Sequence, residues 1–327
     1  MAVSGEHGLV VVTGAAGFIG HALCAHFVAT GRPHRALVRA IDPGAHTHSE
    51  TVAIGDLATV PDERLDAALA GATAVVHLAG RAHVLRDRAS DPDALYAAAN
   101  ALATARLAVA AARAGVARFV LASSVKVLGE ATPPGRPFGA DSPPSPQDAY
   151  ARSKVEAERA LAAECARGTT VPIVLRLPLV YGPGVKGNFL RLLDAVARCA
   201  PLPFGAIENR RDLLFVGNLV HAIAVALDLA EAPAGTWLVA DGEPVSTPDL
   251  VRRLAAALGV APRVPAVPVA LLRVAARVAG REAQVARLTQ SLEIDAAPLW
   301  QRVGVAPCTL DQGLTETARW WRARHAI

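Results

Sequence analysis

The sequence predicts an α/β protein built on a doubly wound parallel sheet, with a smaller second lobe after residue 182. Short apolar runs alternate with alanine-rich segments of helical length, which is the pattern of parallel strands joined by crossover helices. After residue 182 the chain changes to short pieces punctuated by proline. Strands are predicted at Leu9–Val12, Arg35–Val38, Thr51–Ile54, Ala74–His77, Phe119–Leu121 and Ile173–Arg176, and helices at His21–Thr30, Ala94–Ala114 and Tyr150–Arg167.

The first strand runs into a glycine-rich turn, Thr13 to Gly20, and then into a predicted helix. In its G-x-x-G-x-x-G spacing, Gly14 permits the tight turn, Gly17 lets the backbone approach a pyrophosphate, and Gly20 allows close packing of helix on strand. The N-terminus of the helix offers free N–H groups and a partial positive charge to phosphates. The strand–turn–helix context predicts a dinucleotide site of the Rossmann type.

Tyr150 and Lys154 lie four residues apart, so they share one face of a predicted helix. A phenol has an ordinary pKa of about 10, and a neighbouring ammonium favours its ionised form. At ~4 Å and an effective dielectric of ~20 the attraction is ~4 kcal/mol before desolvation. We therefore expect Lys154 to lower the pKa of Tyr150 towards the range of a general acid or base. An exposed tyrosine beside a solvated lysine would have the same spacing.

The segment from Arg118 to Ser124 is typical of a buried strand that ends in two serines. Ligands of open α/β sheets bind at the C-terminal ends of the strands. Ser124 is therefore placed to hydrogen-bond a substrate oxygen while Tyr150 moves a proton. Two serines that simply cap a strand would look the same. A long loop rich in proline and glycine, residues 129–147, connects this strand to the tyrosine helix.

Taken together, these motifs resemble the extended short-chain dehydrogenases/reductases, and within them the NAD-dependent epimerase/dehydratase family. The resemblance covers nearly the whole chain and rests on the following stretches: Thr13 to Gly20, Gly55 to Leu57, His77 to Gly80, Asn100, Ser123 to Gly129, Tyr150 to Lys154, and Tyr181 to Gly184. It implies a Rossmann domain over residues 1–182 and an interleaved substrate lobe over residues 183–327. Residues 213–240, with Asn218–Leu229 and Thr236–Ala240, are expected to return to the sheet.

The resemblance also implies roles for individual residues. It assigns catalysis to Ser124, Tyr150 and Lys154. It assigns cofactor contacts to Gly14, Ala16, Gly17, Phe18, Ile19, Arg39, Asp56, Leu57, Leu78, Ala79, Gly80, Asn100, Ser123, Tyr150, Lys154 and Pro178. Substrate contacts are expected from Lys126, Asn188 and Arg211. Arg211 matches an arginine that binds the diphosphate of a nucleotide sugar, although a salt bridge to Asp212 is the alternative. Leu179 stands where many relatives have asparagine.

The end of the second strand bears on the choice of cofactor. An acid there binds the ribose 2′-hydroxyl of NAD, whereas an arginine accommodates the 2′-phosphate of NADP. Val38 holds the usual position of the acid and Arg39 follows it. This favours NADP(H), with NAD(H) as the alternative, because Asp42 could still be recruited and Arg39 could be a solvated charge.

A narrower resemblance links the chain to a bacterial group of UDP-glucose 4-epimerase-like proteins. That group includes 4-reductases acting on UDP-2-acetamido-2,6-dideoxy-4-keto-hexoses in O-antigen synthesis. Val125 and Lys126 stand where dehydratases carry an Asp–Glu pair, so water elimination is not expected. The leading hypothesis is a nucleotide-sugar 4-reductase or 4-dehydrogenase. The alternatives are a UDP-hexose 4-epimerase that retains NAD, and a non-catalytic NAD(P) sensor, which would not need Ser124, Tyr150 and Lys154 together.

Composition limits the remaining classes of function. The net charge is +4, from 33 basic and 29 acidic residues. This small excess does not indicate a nucleic acid as a partner. Four scattered cysteines predict neither a metal site nor disulfides and fit a reducing cytoplasm. No membrane span is expected. Residues 264–280 resemble an interfacial helix, but a helix that packs on the protein and exposes Arg273 and Arg277 is favoured. The resemblance further implies a homodimer.

Overall fold

The computed structural model describes residues 8–41, 50–81, 91–133, 135–280 and 282–325. Asp42, the acid considered for the ribose, lies outside the described residues. The chain divides into two compact units. The first comprises Met1–Val127, Pro144–Arg176 and Val220–Trp237, and the second comprises Leu128–Pro143, Leu177–Leu219 and Leu238–Ile327.

The described residues form a seven-stranded sheet in the order β3-β2-β1-β4-β5-β6-β9 and a two-stranded sheet of β7 and β8. The strands are β1 Leu9–Thr13, β2 His34–Val38, β3 Glu50–Ala53, β4 Ala72–His77, β5 Arg118–Ser124, β6 Val171–Leu177, β7 Leu179–Tyr181, β8 Leu213–Phe215 and β9 Gly235–Leu238. Neighbouring strands from β3 through β5 in this order are parallel. The predicted doubly wound α/β fold is confirmed, and each of the six predicted strands is present to within three residues at either end.

Helices follow the strands in the alternation that the sequence predicts. They are α1 Phe18–Ala29, α2 Asp62–Leu69, α3 Pro92–Tyr96, α4 Ala103–Arg113, α5 Ala149–Cys165, α6 Gly187–Ala197, α7 Val216–Asp228, α8 Thr247–Leu258, α9 Val269–Val278, α10 Glu282–Thr289, α11 Ala297–Val303 and α12 Leu310–Arg324. A π-helical segment, Ala97–Leu102, joins α3 to α4. Strand β9 is an edge strand of the larger sheet, beside β6.

The core of the first unit lies on both faces of the sheet. The three valines of β1, Val10–Val12, are completely buried, and such a continuous apolar run is expected of a central parallel strand covered on both sides. Leu107 of α4 and Leu161 of α5 belong to one cluster with Phe119 of β5. This packing fixes α5, the helix that carries Tyr150, against the strand that ends in the two serines.

Residues Pro92–Arg113 form a helical stretch that is long and apolar enough to cross a bilayer by length and composition. In the described structure α4, which ends this stretch, packs on α2 and α5. Its residues Leu107, Ala110 and Ala111 are completely buried. The stretch therefore serves as a core helix of the first unit.

In the second unit, the loop after residue 128 is held by backbone hydrogen bonds to a later segment. Thr132 N–H donates to Ser291 O at 2.9 Å, and Phe138 N–H donates to Glu293 O at 2.8 Å. The sequence places this loop in the first domain as a connector to α5. Residues 128–143 instead belong to the second unit, because these bonds tie them to residues 291–295.

Helix α9 exposes more apolar side chains than the sequence predicts. Arg273 and Arg277 are exposed, as expected, and Ala276 is buried. Leu271, Val274 and Val278 are also 59%, 62% and 86% exposed, whereas the sequence favours an apolar side that packs on the protein. The reason is that apolar residues occupy most of the circumference of α9, and one packed side cannot cover them all.

Candidate active site

The glycine-rich turn requires glycine at its first and last positions. Gly14 has φ +67°, and a Cβ there would lie 2.6 Å from Ala79 N. A Cβ at Gly20 would lie 2.2 Å from Gly14 O. Both distances are too short for any side chain, so the turn and its packing against the segment after β4 depend on these two residues.

The N-terminus of α1 is open. Gly17 is the N-cap residue and makes no side-chain capping hydrogen bond. Ala16 and Gly17 are exposed, and Phe18 and Ile19 are partly exposed. A Cβ at Gly17 would meet only Gly14 O, at 3.0 Å. Uncapped amides with clear space before them fit the pyrophosphate of a dinucleotide.

Two loops that follow β2 and β3 lie side by side at the edge of the sheet. Gly55 N–H donates to Arg39 O at 3.2 Å. The Arg39 side chain is exposed at the C-terminal end of β2. Asp56 is exposed and its Oδ1 accepts from Ala58 N–H at 2.9 Å, while Leu57 is buried. Arg39, Asp56 and Leu57, to which the resemblance assigns cofactor contacts, therefore lie in adjacent loops.

A buried chain of hydrogen bonds runs from β1 through β4 to the π-helical segment. Thr104 Oγ1 donates to Asn100 O at 2.6 Å, so it accepts from His77 Nε2 at 3.2 Å. His77 Nδ1 then accepts from Thr13 Oγ1 at 2.6 Å, and Thr13 Oγ1 accepts from Ala79 N–H. Burial lowers the pKa of His77 to about 3, with a contribution from Lys154, so the ring is neutral. His77, the first residue of the His77 to Gly80 stretch, is thus an internal support.

Asn100 connects two segments of the predicted site. Its Oδ1 accepts from Arg81 N–H at 2.8 Å, and its Nδ2 donates to Ser153 Oγ at 2.9 Å. Ser153 Oγ donates in turn to Tyr150 O at 2.8 Å. A methyl group at Gly80 would lie 2.7 Å from Asn100 Oδ1 and 3.5 Å from Lys154 Nζ. Asn100 therefore holds the segment after β4 against α5. It lies in the π-helical segment, and π-helical turns often occur at functional sites.

Ser124 and Tyr150 meet where β5 ends and α5 begins. Their side chains form a hydrogen bond, which lowers the pKa of Tyr150. Burial dominates, however, and raises that pKa to about 12, with a smaller contribution from Asp148. The sequence predicts a lowered value through Lys154. The difference arises because burial outweighs the other influences, so the phenol is protonated near neutral pH.

Lys154 is buried within α5 and points to the neighbouring strand. Its Nζ donates to Ala122 O at 2.8 Å. Burial lowers the pKa of Lys154 to about 8, and the nearby Glu158 opposes this effect. The lysine is therefore a cation at neutral pH, and it loses its charge in a mildly alkaline medium.

Glu158 is the centre of a polar cluster that sequence reasoning missed. Its carboxylate accepts from Ser123 Oγ and, at 3.1 and 2.7 Å, from Nε and Nη2 of Arg176. Both side chains of the ion pair are 11% exposed. Two signals in the sequence point to this cluster. Glu158 lies four residues after Lys154, and Arg176 is a lone charge in the apolar strand β6.

Lys126, expected to contact substrate, forms an ion pair with Asp148. Asp148 also caps α5, because its Oδ1 accepts from Ala151 N–H at 2.8 Å. Lys126 N–H donates to Ser124 Oγ at 3.2 Å. The pair thus links the end of β5 to the start of the tyrosine helix.

The remaining predicted residues belong to the second unit. Pro178 is buried after β6, Leu179 is 51% exposed, and Asn188 is exposed in the first turn of α6. Arg211 Nη1 donates to Gln290 O at 2.9 Å, and burial lowers the pKa of Arg211. Asp212 accepts from Ile294 N–H instead of pairing with Arg211. Within the described residues, Arg211 therefore makes no salt bridge of the kind considered as its alternative role.

The chain is similar to known proteins in both sequence and fold. The sequence model of the NAD dependent epimerase/dehydratase family matches residues 10–240. A protein of Vibrio cholerae named UDP-glucose 4-epimerase is 38% identical over 268 residues, which are 81% of either chain. An N-acetyl-alpha-D-glucosaminyl-diphospho-ditrans,octacis-undecaprenol 4-epimerase of Escherichia coli O157:H7 is 27% identical over 95% of this chain and 94% of its own. The solved structure of MoeE5 in complex with UDP-glucose and NAD superposes with a TM-score of 0.77, at 29% identity over 97% of this chain and all of that one.

Proposed function

The chain belongs to the NAD dependent epimerase/dehydratase family, and we propose that it is a nucleotide-sugar oxidoreductase that reduces a 4-keto sugar at C4. The observation that carries this proposal is the hydrogen bond between Ser124 and Tyr150, with the buried ammonium of Lys154 on the same helix. These are the groups needed to hold a carbonyl oxygen and to protonate it.

The protonation state of Tyr150 supports the direction of reduction. Reduction of a ketone needs an acid at its oxygen, and a phenol with a pKa of about 12 holds its proton at neutral pH. Tyr150 donates this proton to the oxygen at C4 while Ser124 hydrogen-bonds the same oxygen. A nicotinamide cofactor, when bound, would supply the hydride. Lys154 would hold the cofactor ribose and, as a cation, would stabilise the phenolate that remains. Val125, buried, and Lys126, paired with Asp148, offer no carboxylate pair for elimination.

We propose a UDP-sugar as the substrate and Arg211 as the group that binds its diphosphate. The bound UDP-glucose of MoeE5, 29% identical to this chain, supports the nucleotide. A guanidinium forms paired hydrogen bonds to phosphate oxygens, and Arg211 makes no ion pair with its neighbour Asp212 in the described residues.

We propose NADP(H) as the cofactor. The exposed Arg39 at the end of β2 supports this choice, as does Val38, which cannot bind a ribose hydroxyl. NAD(H) is the alternative, supported by the NAD in the MoeE5 complex.

Arg39→Ala is expected to raise the KM for NADPH by ~10-fold or more and to leave the KM for NADH unchanged, since a hydrogen bond to a charged group contributes about 1.5–3 kcal/mol. Steady-state kinetics with both cofactors check this. The matched control is Arg167→Ala, an exposed arginine at the end of α5, which should change neither KM. An equal effect of Arg39→Ala on both cofactors would remove the case for NADP(H).

The pH profile should reflect Lys154. Its pKa of about 8 means that the ammonium is present below this pH and is lost as the pH rises through it. Tyr150 remains protonated throughout this range. We therefore expect kcat/KM for reduction, which reports groups of the free enzyme, to fall above about pH 8. A profile that stays flat to pH 10 would contradict a catalytic role for the Lys154 charge.

A UDP-hexose 4-epimerase is the second candidate, and the name of the 38% identical relative favours it. An epimerase must keep its cofactor through a full cycle, whereas a reductase exchanges it. Purified protein is incubated with UDP-glucose without added cofactor, and separately with a UDP-4-keto sugar and NADPH. The proposed reductase oxidises NADPH in the second mixture and leaves UDP-glucose unchanged. Conversion of UDP-glucose to its C4 epimer in the first mixture would overturn the proposal in favour of the epimerase.

A further inference from the structure

Helix α9 presents an apolar outer face, which we define as Leu271, Val274 and Val278. The spacing of three and four residues places all three on one side of the helix. They are 59%, 62% and 86% exposed. Single exposed apolar residues are ordinary, but three neighbours on one helix face form a contiguous patch, and such patches mark interaction surfaces.

The segment that carries the outer face is basic. Residues 260–281 contain four arginines and neither aspartate nor glutamate. Arg277 lies three residues after Val274 and flanks the outer face, Arg273 lies one turn before it and further round the helix, and both are exposed. Glu282 at the start of α10 lies close to one of them, with its Oε1 3.7 Å from Arg277 Nε. Both of those side chains are largely in water, so this contact neutralises little of the positive charge.

We propose that α9 docks the protein on the surface of an anionic lipid bilayer. The outer face would enter the boundary between headgroups and acyl chains, and Arg273 and Arg277 would extend to lipid phosphates. This arrangement of apolar residues on one face with arginines beside it is that of interfacial helices. The helix is ten residues long, about 15 Å, so it lies in the interface and does not span the bilayer.

Charge and size both favour a bilayer over a second copy of this chain. Two α9 helices packed face to face would bring four arginines together, and like charges at an interface oppose association. Three exposed side chains are also far fewer than the ~20–30 residues that each partner contributes to a stable protein interface. A bilayer needs neither shape complementarity nor a large contact, and its anionic headgroups match the arginines.

Vesicle flotation with the full-length protein tests the proposal. We expect the protein to float with vesicles of phosphatidylglycerol and phosphatidylcholine at low salt, and to float weakly with phosphatidylcholine alone. The triple variant Leu271→Gln, Val274→Gln, Val278→Gln should lose at least about tenfold in partitioning, since each substitution removes an apolar side chain from the lipid. Glutamine is a better helix former than valine, so α9 should persist. The double variant Arg273→Gln, Arg277→Gln should lose ~30-fold on anionic vesicles only.

Matched controls place the same changes elsewhere on the surface. Val28→Gln with Ile41→Gln removes two other exposed apolar side chains, and Arg159→Gln with Arg167→Gln removes two exposed arginines, one on α5 and one just after it. Neither pair should alter partitioning. The proposal is overturned if the α9 variants float as well as the parent protein, or if both vesicle types bind equally. It is also overturned if the triple variant changes the molar mass in light scattering but not flotation, because a second copy would then cover α9.

Discussion

Replacing Tyr150 with phenylalanine is expected to lower kcat for reduction at C4 by ~10²–10⁴-fold, the usual contribution of a general acid. The ring of Tyr150 packs edge-on against the ring of Tyr96, with 6.0 Å between centroids, and phenylalanine preserves that contact. Only the hydroxyl that bonds Ser124 is lost. Binding of the cofactor should therefore be intact, and turnover alone should fall. Stopped-flow single turnovers, together with cofactor titration by fluorescence, separate the two effects.

Tyr96→Phe is the control for the Tyr150 substitution. It removes the same atom from the neighbouring ring and should retain most of the turnover. If Tyr150→Phe reduces NADPH binding and leaves single-turnover chemistry unchanged, Tyr150 is a binding residue and the assignment of the acid is wrong. An equal loss of turnover in both variants would indicate general damage to the site.

Replacing Glu158 with leucine should lower the free energy of unfolding by ~3–5 kcal/mol, because it leaves Arg176 buried without its counter-charge. Leucine keeps much of the volume but accepts none of the three hydrogen bonds that Glu158 receives from Ser123 and Arg176. Urea unfolding followed by circular dichroism measures the change.

The pair of Glu164 and Arg167 near the end of α5 supplies the comparison for Glu158. Its side chains are 25% and 74% exposed, and Glu164→Leu should cost no more than about 1 kcal/mol. The double variant Glu158→Leu, Arg176→Met should recover most of the lost stability, since no charge is then buried alone. Equal urea midpoints for the Glu158 and Glu164 variants would show that the buried ion pair contributes no more to stability than the exposed one.

The placement of the proposed catalytic residues could be predicted because regular secondary structure defines their positions. Ser124 ends a strand, and Tyr150 and Lys154 occupy one side of a helix, so local spacing already brings their chemistry into register. The glycine turn could also be predicted from the sequence, because Gly14 and Gly20 are required by backbone geometry that no other residue satisfies. Family resemblance then gave these positions their roles.

Other properties depend on tertiary packing and could not be predicted in this way. The pairing of Glu158 with Arg176 joins a helix to a separate strand. The high pKa of Tyr150 follows from burial, and spacing along a helix carries no information on burial. The exposure of Val278 depends on which side of α9 finds a partner within the second unit. In each case the sequence supplied the residue type and the three-dimensional packing supplied its environment.

The buried chain from Ala79 through Thr13, His77 and Thr104 to Asn100 has a consequence for proton traffic. Every hydroxyl in it accepts one hydrogen bond and donates one, and all donors point the same way. Passing a proton along it would require the imidazole to become doubly protonated, which a pKa of about 3 prevents at neutral pH. These hydrogen bonds therefore do not conduct protons at neutral pH. If Tyr150 is the proposed acid, its proton is replaced by another route, and proton uptake should be insensitive to Thr104→Val.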